Sequence, residues 1–294
     1  MPVDPEAPRH NIIIFGETGA GKSSVINMLL GKVAAEVSSE AAGCTLSSTP
    51  HDVNIGGHKF TLWDTAGLNE GGEGSVSDMK ALSALYHLLR GLEDGVSLAV
   101  FCMRAPRLTD AAVKNWKFFK HILCQGKVPT VIVVTGLEEW NDEDSKRTWW
   151  EENQEQFRKS EINPTEEIHR TFDLPVAGVK TDRGVACITA SKGKVNKRGE
   201  YVYQDEFDLS RLKVMKLFVE AHMRVPWKVE QVQWFKQVVY TVRDGGLCPS
   251  ERQESKWVAG KGVHELMVRW GIPNEDQATR IVKVIEEGVA PRKS

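Results

Sequence analysis

The sequence Gly16-Glu17-Thr18-Gly19-Ala20-Gly21-Lys22-Ser23 fits the pattern G-x-x-x-x-G-K-[ST] at every position. Glycines in this pattern let backbone N–H groups curl around a chain of phosphates, and the dipole of the following helix adds to the attraction. A short apolar run precedes the segment and a helical pattern follows it, as this arrangement requires. The sequence therefore predicts a nucleotide-binding loop. The alternative is a glycine-rich turn that matches the pattern by chance.

Two side chains of this loop have specific expected roles. Lys22 is expected to reach the β and γ phosphates of a nucleotide, and the Ser23 hydroxyl to bind Mg²⁺. The predicted nucleotide contacts of the loop are Gly16, Glu17, Thr18, Gly19, Ala20, Gly21, Lys22, Ser23 and Ser24.

Strand and helix patterns alternate along the chain on both sides of the loop. Apolar runs typical of buried strands occur at 11–16, 96–102, 128–135 and 185–188. Helical patterns separate them at 23–30, 76–89, 110–123 and 144–159. This alternation predicts an α/β fold of three layers, with a mostly parallel sheet between helices. The runs 51–55 and 59–63 flank Gly56-Gly57, a tight-turn signal, and predict a hairpin that adds one antiparallel edge strand.

The pattern changes after Pro226, where no strand signal is evident. Helical spacing of apolar residues is found at Val229, Val232, Phe235, Val239 and Val242, again over 263–270, and in a last helix that Asn274 opens. We therefore predict a flexible leader over 1–9, an α/β domain over 10–224 and a helical extension over 225–294.

Composition narrows the possible functions. The 38 basic and 40 acidic side chains give a net charge of −2, which argues against a nucleic-acid partner bound by bulk electrostatics. The sequence has no apolar run approaching the roughly 18–20 residues that span a bilayer, and its proline-rich start lacks the apolar core of a signal peptide. Five scattered cysteines indicate reduced thiols. A cytoplasmic protein with no transmembrane segment is the expectation.

A second motif follows the hairpin. The apolar strand 59–63 ends in Asp64-Thr65-Ala66-Gly67, and an aspartate in this position can hold the shell of a Mg²⁺ ion. Gly67 offers an unhindered N–H to a γ-phosphate. The glycine-rich segment 69–75 that follows could become ordered or disordered with that phosphate. Alone the motif is a common turn, but its place after the phosphate loop favours a role in nucleotide binding.

Together these motifs resemble the translation-factor-related GTPases, and within them the AIG1/GIMAP, Toc and septin-like (paraseptin) group. The resemblance covers roughly 10–224 and is most specific at 16–24, at Gly43-Cys44-Thr45 and at 64–68. It implies a P-loop GTPase domain that binds GTP and GDP with Mg²⁺. In this group the threonine matched by Thr45 closes on Mg²⁺ and the γ-phosphate. The alternatives are that Thr45 is an exposed loop residue or that Thr49 has this role.

Base recognition departs from the family pattern [NT]-K-x-D. At the end of the run 128–135 the sequence is Thr135-Gly136-Leu137-Glu138, so Thr135 fits, glycine replaces the lysine that covers the base, and glutamate replaces aspartate. The resemblance implies that Glu138 pairs with guanine and that Ala190, in a loose match to Ser-Ala-Lys, donates a backbone N–H to the base. The alternative is an ordinary strand end with two exposed glutamates, Glu138 and Glu139.

Hydrolysis also needs help from elsewhere, because Leu68 stands where Ras-like enzymes place a glutamine that orients water. The resemblance offers an arginine supplied across a nucleotide-facing dimer, and Arg107 is the candidate. The alternative is that Thr109 or Asp110 caps the next helix, with Arg107 merely exposed beside it. The predicted catalytic residues are Lys22, Thr45, Gly67 and Arg107, and the predicted Mg²⁺ ligands are Ser23, Thr45 and Asp64.

Three functions are compatible with these motifs. The first is a GTPase whose nucleotide state controls formation of a homodimer or oligomer. The second is a nucleotide-binding scaffold with negligible turnover, which Leu68 and the altered base motif favour. The third is a phosphate-loop kinase for a small substrate, which the hairpin carrying Asp64 and the lack of an arginine-rich lid argue against.

Overall fold

The computed structural model describes residues 9–33, 48–65, 67, 76–138, 140, 148–166, 182–228, 235–244, 250–260, 263–264, 267 and 272–287. Its strands are β1 Arg9–Phe15, β2 Thr49–Ile55, β3 His58–Asp64, β4 Leu98–Arg104, β5 Thr130–Thr135, β6 Val185–Cys187, β7 Phe235–Asp244 and β8 Ser250–Ala259. Its helices are α1 Lys22–Leu30, α2 Val76–Gly91, α3 Asp110–Lys117, α4 Trp149–Lys159, α5 Gln204–Ala221 and α6 Glu275–Glu287, with a π-helical segment Phe118–Leu123 directly after α3.

Six strands form the central sheet, in the order β2-β3-β1-β4-β5-β6. All neighbouring pairs are parallel except β2 with β3, so the antiparallel edge strand and the three-layer α/β fold that the sequence predicts are confirmed. In the register of the sheet, Ile14 lies beside Asp64 and Arg104 lies beside Thr135. The carboxyl ends of the parallel strands therefore place the phosphate loop, the Asp64 motif and the base motif along one edge.

Strands β1, β4 and β5 are buried on both faces of the sheet, which explains their continuous apolar runs. In β1, Ile13 and Phe15 pack in one core with side chains from α2 and α3. Ile12 and Ile14 pack in the opposite core with side chains from α1 and α5. Alternating residues of one strand thus fill two cores, and this fixes the strand from which the phosphate loop emerges.

Two helices differ from the predictions from sequence. The helix predicted over 144–159 begins at Trp149, because Thr148 and Glu151 form a reciprocal cap, and residues 141–147 lie outside the described part of the chain. Helix α5 was not predicted, although its buried Val214, Leu217 and Phe218 have helical spacing.

The C-terminal region corrects one prediction. The helical face predicted through Phe235, Val239 and Val242 is wrong, because these residues lie in β7, which pairs with β8 as an antiparallel hairpin from Phe235–Ala259 to Asp244–Ser250. The run Val238-Val239-Tyr240-Thr241-Val242 is β-branched and aromatic, which favours a strand over a helix despite the helical spacing of its valines.

The last helix is confirmed as α6, which begins after Asn274, whose side-chain oxygen accepts a hydrogen bond from the N–H of Gln277 (2.8 Å). Its Ile281 and Val282 belong to the same core as Leu85 and Leu89 of α2. The division at 224/225 remains a prediction, while α6 shares the core of the α/β domain.

Candidate nucleotide site

The phosphate loop connects β1 to α1 and depends on glycine at its two ends. A Cβ at Gly16 would overlap the Cys102 carbonyl of β4, so the loop can lie against this strand only without a side chain. Gly21 has φ +87°, and a Cβ there would lie 2.9 Å from Cγ2 of Thr135. No side chain caps the start of α1, because its N-cap residue is Gly21. The first N–H groups of the helix therefore remain suited to an anion.

Lys22 bends back across the loop. Its side chain is buried, with 7% exposed, and Nζ donates to the carbonyls of Gly16 (3.3 Å) and Glu17 (3.0 Å). The ammonium thus lies inside the curve of the loop, where the phosphate chain of a nucleotide would lie. The predicted contact of Lys22 with the β and γ phosphates stays a prediction.

The half-buried Ser23 and the buried Asp64 form a polar pair beside Lys22. The Ser23 hydroxyl donates to Oδ2 of Asp64 (2.6 Å), and Asp64 is 6% exposed. Burial raises the pKa of Asp64, while the Ser23 hydrogen bond and the Lys22 charge oppose that rise. A hydroxyl and a carboxylate are hard oxygen ligands of the kind that Mg²⁺ prefers, so these residues fit the ion.

The cation would need oxygens from outside the protein as well. The part of the chain that the structure describes contains no cluster of three or more histidine, cysteine or carboxylate side chains able to hold a metal. Mg²⁺ commonly binds through one or two protein oxygens together with substrate phosphates and water. The Ser23–Asp64 pair therefore suits a cation that arrives with a nucleotide.

Gly67 closes on the phosphate loop. A Cβ at this position would overlap the hydroxyl of Thr18, so glycine is the residue that allows the close approach. The Thr65 hydroxyl donates to the Ile14 carbonyl (2.8 Å) and fixes the same segment to β1. Thr45, which is predicted to meet the γ-phosphate, and Leu68, which stands in the position of the Ras-like glutamine, lie outside the described residues.

Thr135 joins the phosphate loop to the base motif. It is 1% exposed, and its hydroxyl lies 2.9 Å from the Ala20 carbonyl and 3.3 Å from the Met103 carbonyl. The side chain therefore connects β5 with both β4 and the loop. Its predicted contact with the nucleotide stays a prediction.

The two other predicted base contacts meet at one point. The backbone N–H of Ala190 donates to Oε1 of Glu138 (3.2 Å), although the residues lie 52 positions apart. The loop with Ala190 is held by the N–H of Thr189, which donates to the Ser210 hydroxyl of α5 (2.9 Å). Glu139, the alternative to Glu138, lies outside the described residues.

Thr109 has two partners that bear on Arg107. Its hydroxyl accepts the N–H of Ala112 (3.0 Å) and so caps α3, with Arg107 exposed two residues earlier, as the alternative interpretation expects. The same hydroxyl lies 2.9 and 3.0 Å from the two carboxylate oxygens of Glu17. This link, which the sequence analysis missed, holds the Arg107 segment beside the phosphate loop. The role of Arg107 in hydrolysis stays a prediction.

The hydropathy of the helices bears on membrane association. Within the described ranges, no helix combines the length and apolar character needed to cross a bilayer.

Comparisons with known proteins agree with the site. Residues 11–135 match the family described as 50S ribosome-binding GTPase. The tRNA modification GTPase MnmE of Erythrobacter litoralis is 46% identical over 65 residues, 22% of this chain and 15% of the relative. MnmE of Parabacteroides distasonis is 36% identical over 113 residues, 35% of this chain and 24% of the relative. The chain thus spans less than a quarter of the length of these two curated relatives.

Two solved structures are also similar to the chain. Toc33 from Arabidopsis thaliana in complex with GDP and Mg²⁺ is 17% identical, with a TM-score of 0.48 over 74% of this chain and 88% of the other. Era from Aquifex aeolicus is 13% identical, with a TM-score of 0.45 over 94% and 89% of the two chains. Residues 11–135 are thus similar in sequence to this GTPase family, and the phosphate loop and the Asp64 motif both lie within the matched range.

Proposed function

We propose that this protein binds GTP and GDP together with Mg²⁺ and hydrolyses GTP to GDP and phosphate. The observation that carries the proposal is the partly buried Ser23–Asp64 hydrogen bond (2.6 Å) beside the inward-facing ammonium of Lys22. A charge, a metal-binding hydroxyl and a carboxylate meet at the start of α1, which is the arrangement that a triphosphate with its cation requires.

Each group at this end has a separate task in the reaction. Lys22 would neutralise charge on the β and γ phosphates, and the N–H groups of α1 would bind the phosphate oxygens. Ser23, with Asp64 behind it, would hold Mg²⁺, which would supply positive charge beside the phosphates. Gly67 would donate its N–H to the γ-phosphate, and Thr45 would contribute a further ligand to the cation.

The base end supports guanine over adenine. Glu138 offers an acceptor and the Ala190 N–H a donor, 3.2 Å apart. Guanine presents the complementary pair, because its N1–H and amino groups donate and its O6 accepts. Adenine presents an amino donor where guanine has O6, so it would leave Ala190 and Glu138 unmatched. A guanine would replace the Ala190–Glu138 hydrogen bond with one to each residue.

The rate of hydrolysis is proposed to depend on self-association. Leu68 cannot orient a water molecule, and an arginine from a second copy would supply stabilising charge at the γ-phosphate. Arg107 is the proposed residue, since it is exposed and its segment is held to the loop through the Thr109–Glu17 contact. The protein is proposed to act as a nucleotide-dependent homodimer or oligomer in the cytoplasm. The competing proposal, a scaffold with negligible turnover, is favoured by Leu68 and by Gly136 in the base motif.

Thermal unfolding with GDP, GTP, ADP and ATP, each with Mg²⁺, tests nucleotide binding and base choice together. We expect GDP and GTP to raise the melting temperature and the adenine nucleotides to do so much less. Phosphate release measured over a range of protein concentrations then separates the two functions. A rise steeper than linear supports the self-associating GTPase, and no release at any concentration supports the scaffold.

A further inference from the structure

Arg104 lies across Gly136, and Gly136 is the residue that stands where the family's base motif has a lysine. A Cβ on Gly136 would lie 2.9 Å from Cγ of Arg104, 3.3 Å from Nε and 3.5 Å from Cζ. The arginine side chain therefore covers the face of the backbone that Gly136 leaves bare. Because Gly136 has φ +78°, a side chain on this residue would also be strained.

The parallel register of the sheet produces this contact. Arg104 is the last residue of β4 and lies beside Thr135, the last residue of β5. The Ala105 N–H donates to the Thr135 carbonyl (2.9 Å), so the two strand ends stay joined just before Gly136. Arg104 is exposed, and no carboxylate in the described ranges forms an ion pair with it.

The position of Arg104 relative to the expected edge of the base indicates which part of the base this side chain would contact. Glu138, two residues after Gly136, meets the Ala190 N–H and marks where the edge of the base would bind. A base held there by its edge needs a partner for its face, and Gly136 has no side chain to provide one. A guanidinium is planar and weakly hydrated, and it stacks on aromatic rings and nucleobases.

We propose that the Arg104 guanidinium packs on the face of the bound guanine and is a binding residue of this site. The proposal rests on the proposed function, since it names a further contact of the same nucleotide. It also explains why glycine at 136 is compatible with base binding: a larger residue would push the Arg104 stem away.

The test is calorimetric titration with GDP and, separately, with inorganic pyrophosphate, both with Mg²⁺. A cation on an aromatic face contributes about 0.5–2 kcal/mol, so Arg104→Ala should lower the affinity for GDP about 2- to 30-fold. Pyrophosphate has no base, and its affinity should not change. Arg104→Lys keeps the charge but lacks the planar guanidinium. Its affinity for GDP should therefore lie between those of the unsubstituted protein and the Arg104→Ala variant. Arg183→Ala, which removes an exposed arginine just before β6 at the opposite end of the sheet, is the matched control.

A second variant tests the contact itself. Gly136→Ala should lower the affinity for GDP, because the added Cβ displaces Arg104. In the Arg104→Ala background the same substitution should lower the affinity much less. Independent, additive losses would contradict the displacement. Melting temperatures without nucleotide show whether each variant is folded.

The outcomes separate this inference from the proposed function. If Arg104→Ala binds GDP like the unsubstituted protein while Lys22→Ala does not bind it, only the Arg104 contact is refuted. An equal loss for GDP and pyrophosphate refutes it too, because Arg104 would then act on the phosphates. If the unsubstituted protein does not bind GDP, the proposed function fails and the inference fails with it.

Discussion

The phosphate end and the base end of the site lie on the same edge of the sheet but are built differently. At the phosphate end, Lys22, Ser23 and Asp64 match the family pattern and already contact one another or the loop. At the base end, glycine and glutamate replace the family's lysine and aspartate, and Arg104 lies over the glycine. The phosphate end thus matches the family pattern in sequence. The base end does not match it, but it still offers an acceptor, a donor and a covering side chain, which come from different residues.

The physical requirements of the two ends explain this difference. The phosphate loop binds with backbone N–H groups, so its glycines and its helix start are fixed by conformation, as the overlap of a Gly16 Cβ with Cys102 shows. A base edge needs only an acceptor and a donor, and its face needs only a flat apolar or cationic group. Several side chains can supply these, and they can come from a neighbouring strand.

Substitutions at the phosphate end should have the largest effect. Lys22→Ala removes a charge that faces the phosphates, and Ser23→Asn perturbs Mg²⁺ ligation. Each substitution should lower the affinities for GTP and GDP by more than about a hundredfold. The reason is the loss of several hydrogen bonds to charged groups, each of which contributes about 1.5–3 kcal/mol. Calorimetry measures the affinities, with Lys127→Ala at an exposed lysine as the control. Unchanged affinity in both variants would overturn the assignment of the phosphate loop.

The next largest effect concerns the arginine that a second copy of the chain is proposed to supply to the phosphate end. An arginine supplied in trans increases turnover by up to ~10³–10⁵ in Ras-type systems, and a smaller gain is expected without a glutamine. Arg107→Ala should therefore lower phosphate release by about ten- to a hundredfold at high protein concentration and flatten its dependence on concentration. GDP affinity should stay nearly the same.

The control for this prediction is mixing. Adding Lys22→Ala protein, which keeps Arg107, to the Arg107→Ala variant should restore part of the activity if the two variants can pair, and sedimentation establishes whether they do. Full, concentration-dependent activity of Arg107→Ala alone would leave Arg107 as an exposed residue beside the Thr109 cap.

A smaller loss is expected from the edge contact at the base end. Glu138→Ala removes a charged acceptor and should weaken GDP by about tenfold or more, at about 1.5–3 kcal/mol for a hydrogen bond to a charged group. ADP should lose much less, because it does not use this acceptor. Competition of all four nucleotides against a labelled GDP measures both. If ATP competes as well as GTP with the unsubstituted protein, the guanine preference is wrong.

The sequence predicted what depends on local conformation. The strands around Ile13 and Val133 are buried on both faces and appear as continuous apolar runs, and the phosphate loop follows from its glycines. Strand β7 is wrongly predicted as part of a helix, because the spacing of its valines fits both periods over a short run. Contacts between distant segments were the least accessible. The Thr109–Glu17 link and the Arg104–Gly136 contact depend on strand register, which spacing alone does not reveal.

The smallest effect expected concerns the stability of the nucleotide-free protein. Burial raises the pKa of Asp64 above its ordinary value near 4, so folding favours the protonated carboxyl. That contribution to stability is complete below the ordinary pKa and is lost as pH rises through the raised one. At neutral pH the buried charge therefore costs stability, and Asp64→Asn should melt at a higher temperature than the unsubstituted protein without nucleotide. The difference should shrink as pH falls towards the ordinary pKa near 4, because the carboxyl of the folded unsubstituted protein then becomes protonated.

Mg²⁺ and GDP reverse this order, because Asp64 then supports the cation and asparagine carries no charge to do so. The Asp64→Asn variant should gain less melting temperature from Mg²⁺ with GDP than the unsubstituted protein does, and a melting series from pH 4 to 8, with and without these ligands, measures both effects. Asp52→Asn in the neighbouring edge strand β2 is the control, because there the hydrogen bonds from Thr61 and Arg9 outweigh burial and lower the pKa of the exposed carboxyl. A nucleotide-free Asp64→Asn protein that is less stable at neutral pH would show that the Ser23–Asp64 pair holds the fold together in the charged form. The Ser23–Asp64 pair would then serve mainly to stabilise the fold. The functional contrast between the phosphate end and the base end would depend on Lys22 alone.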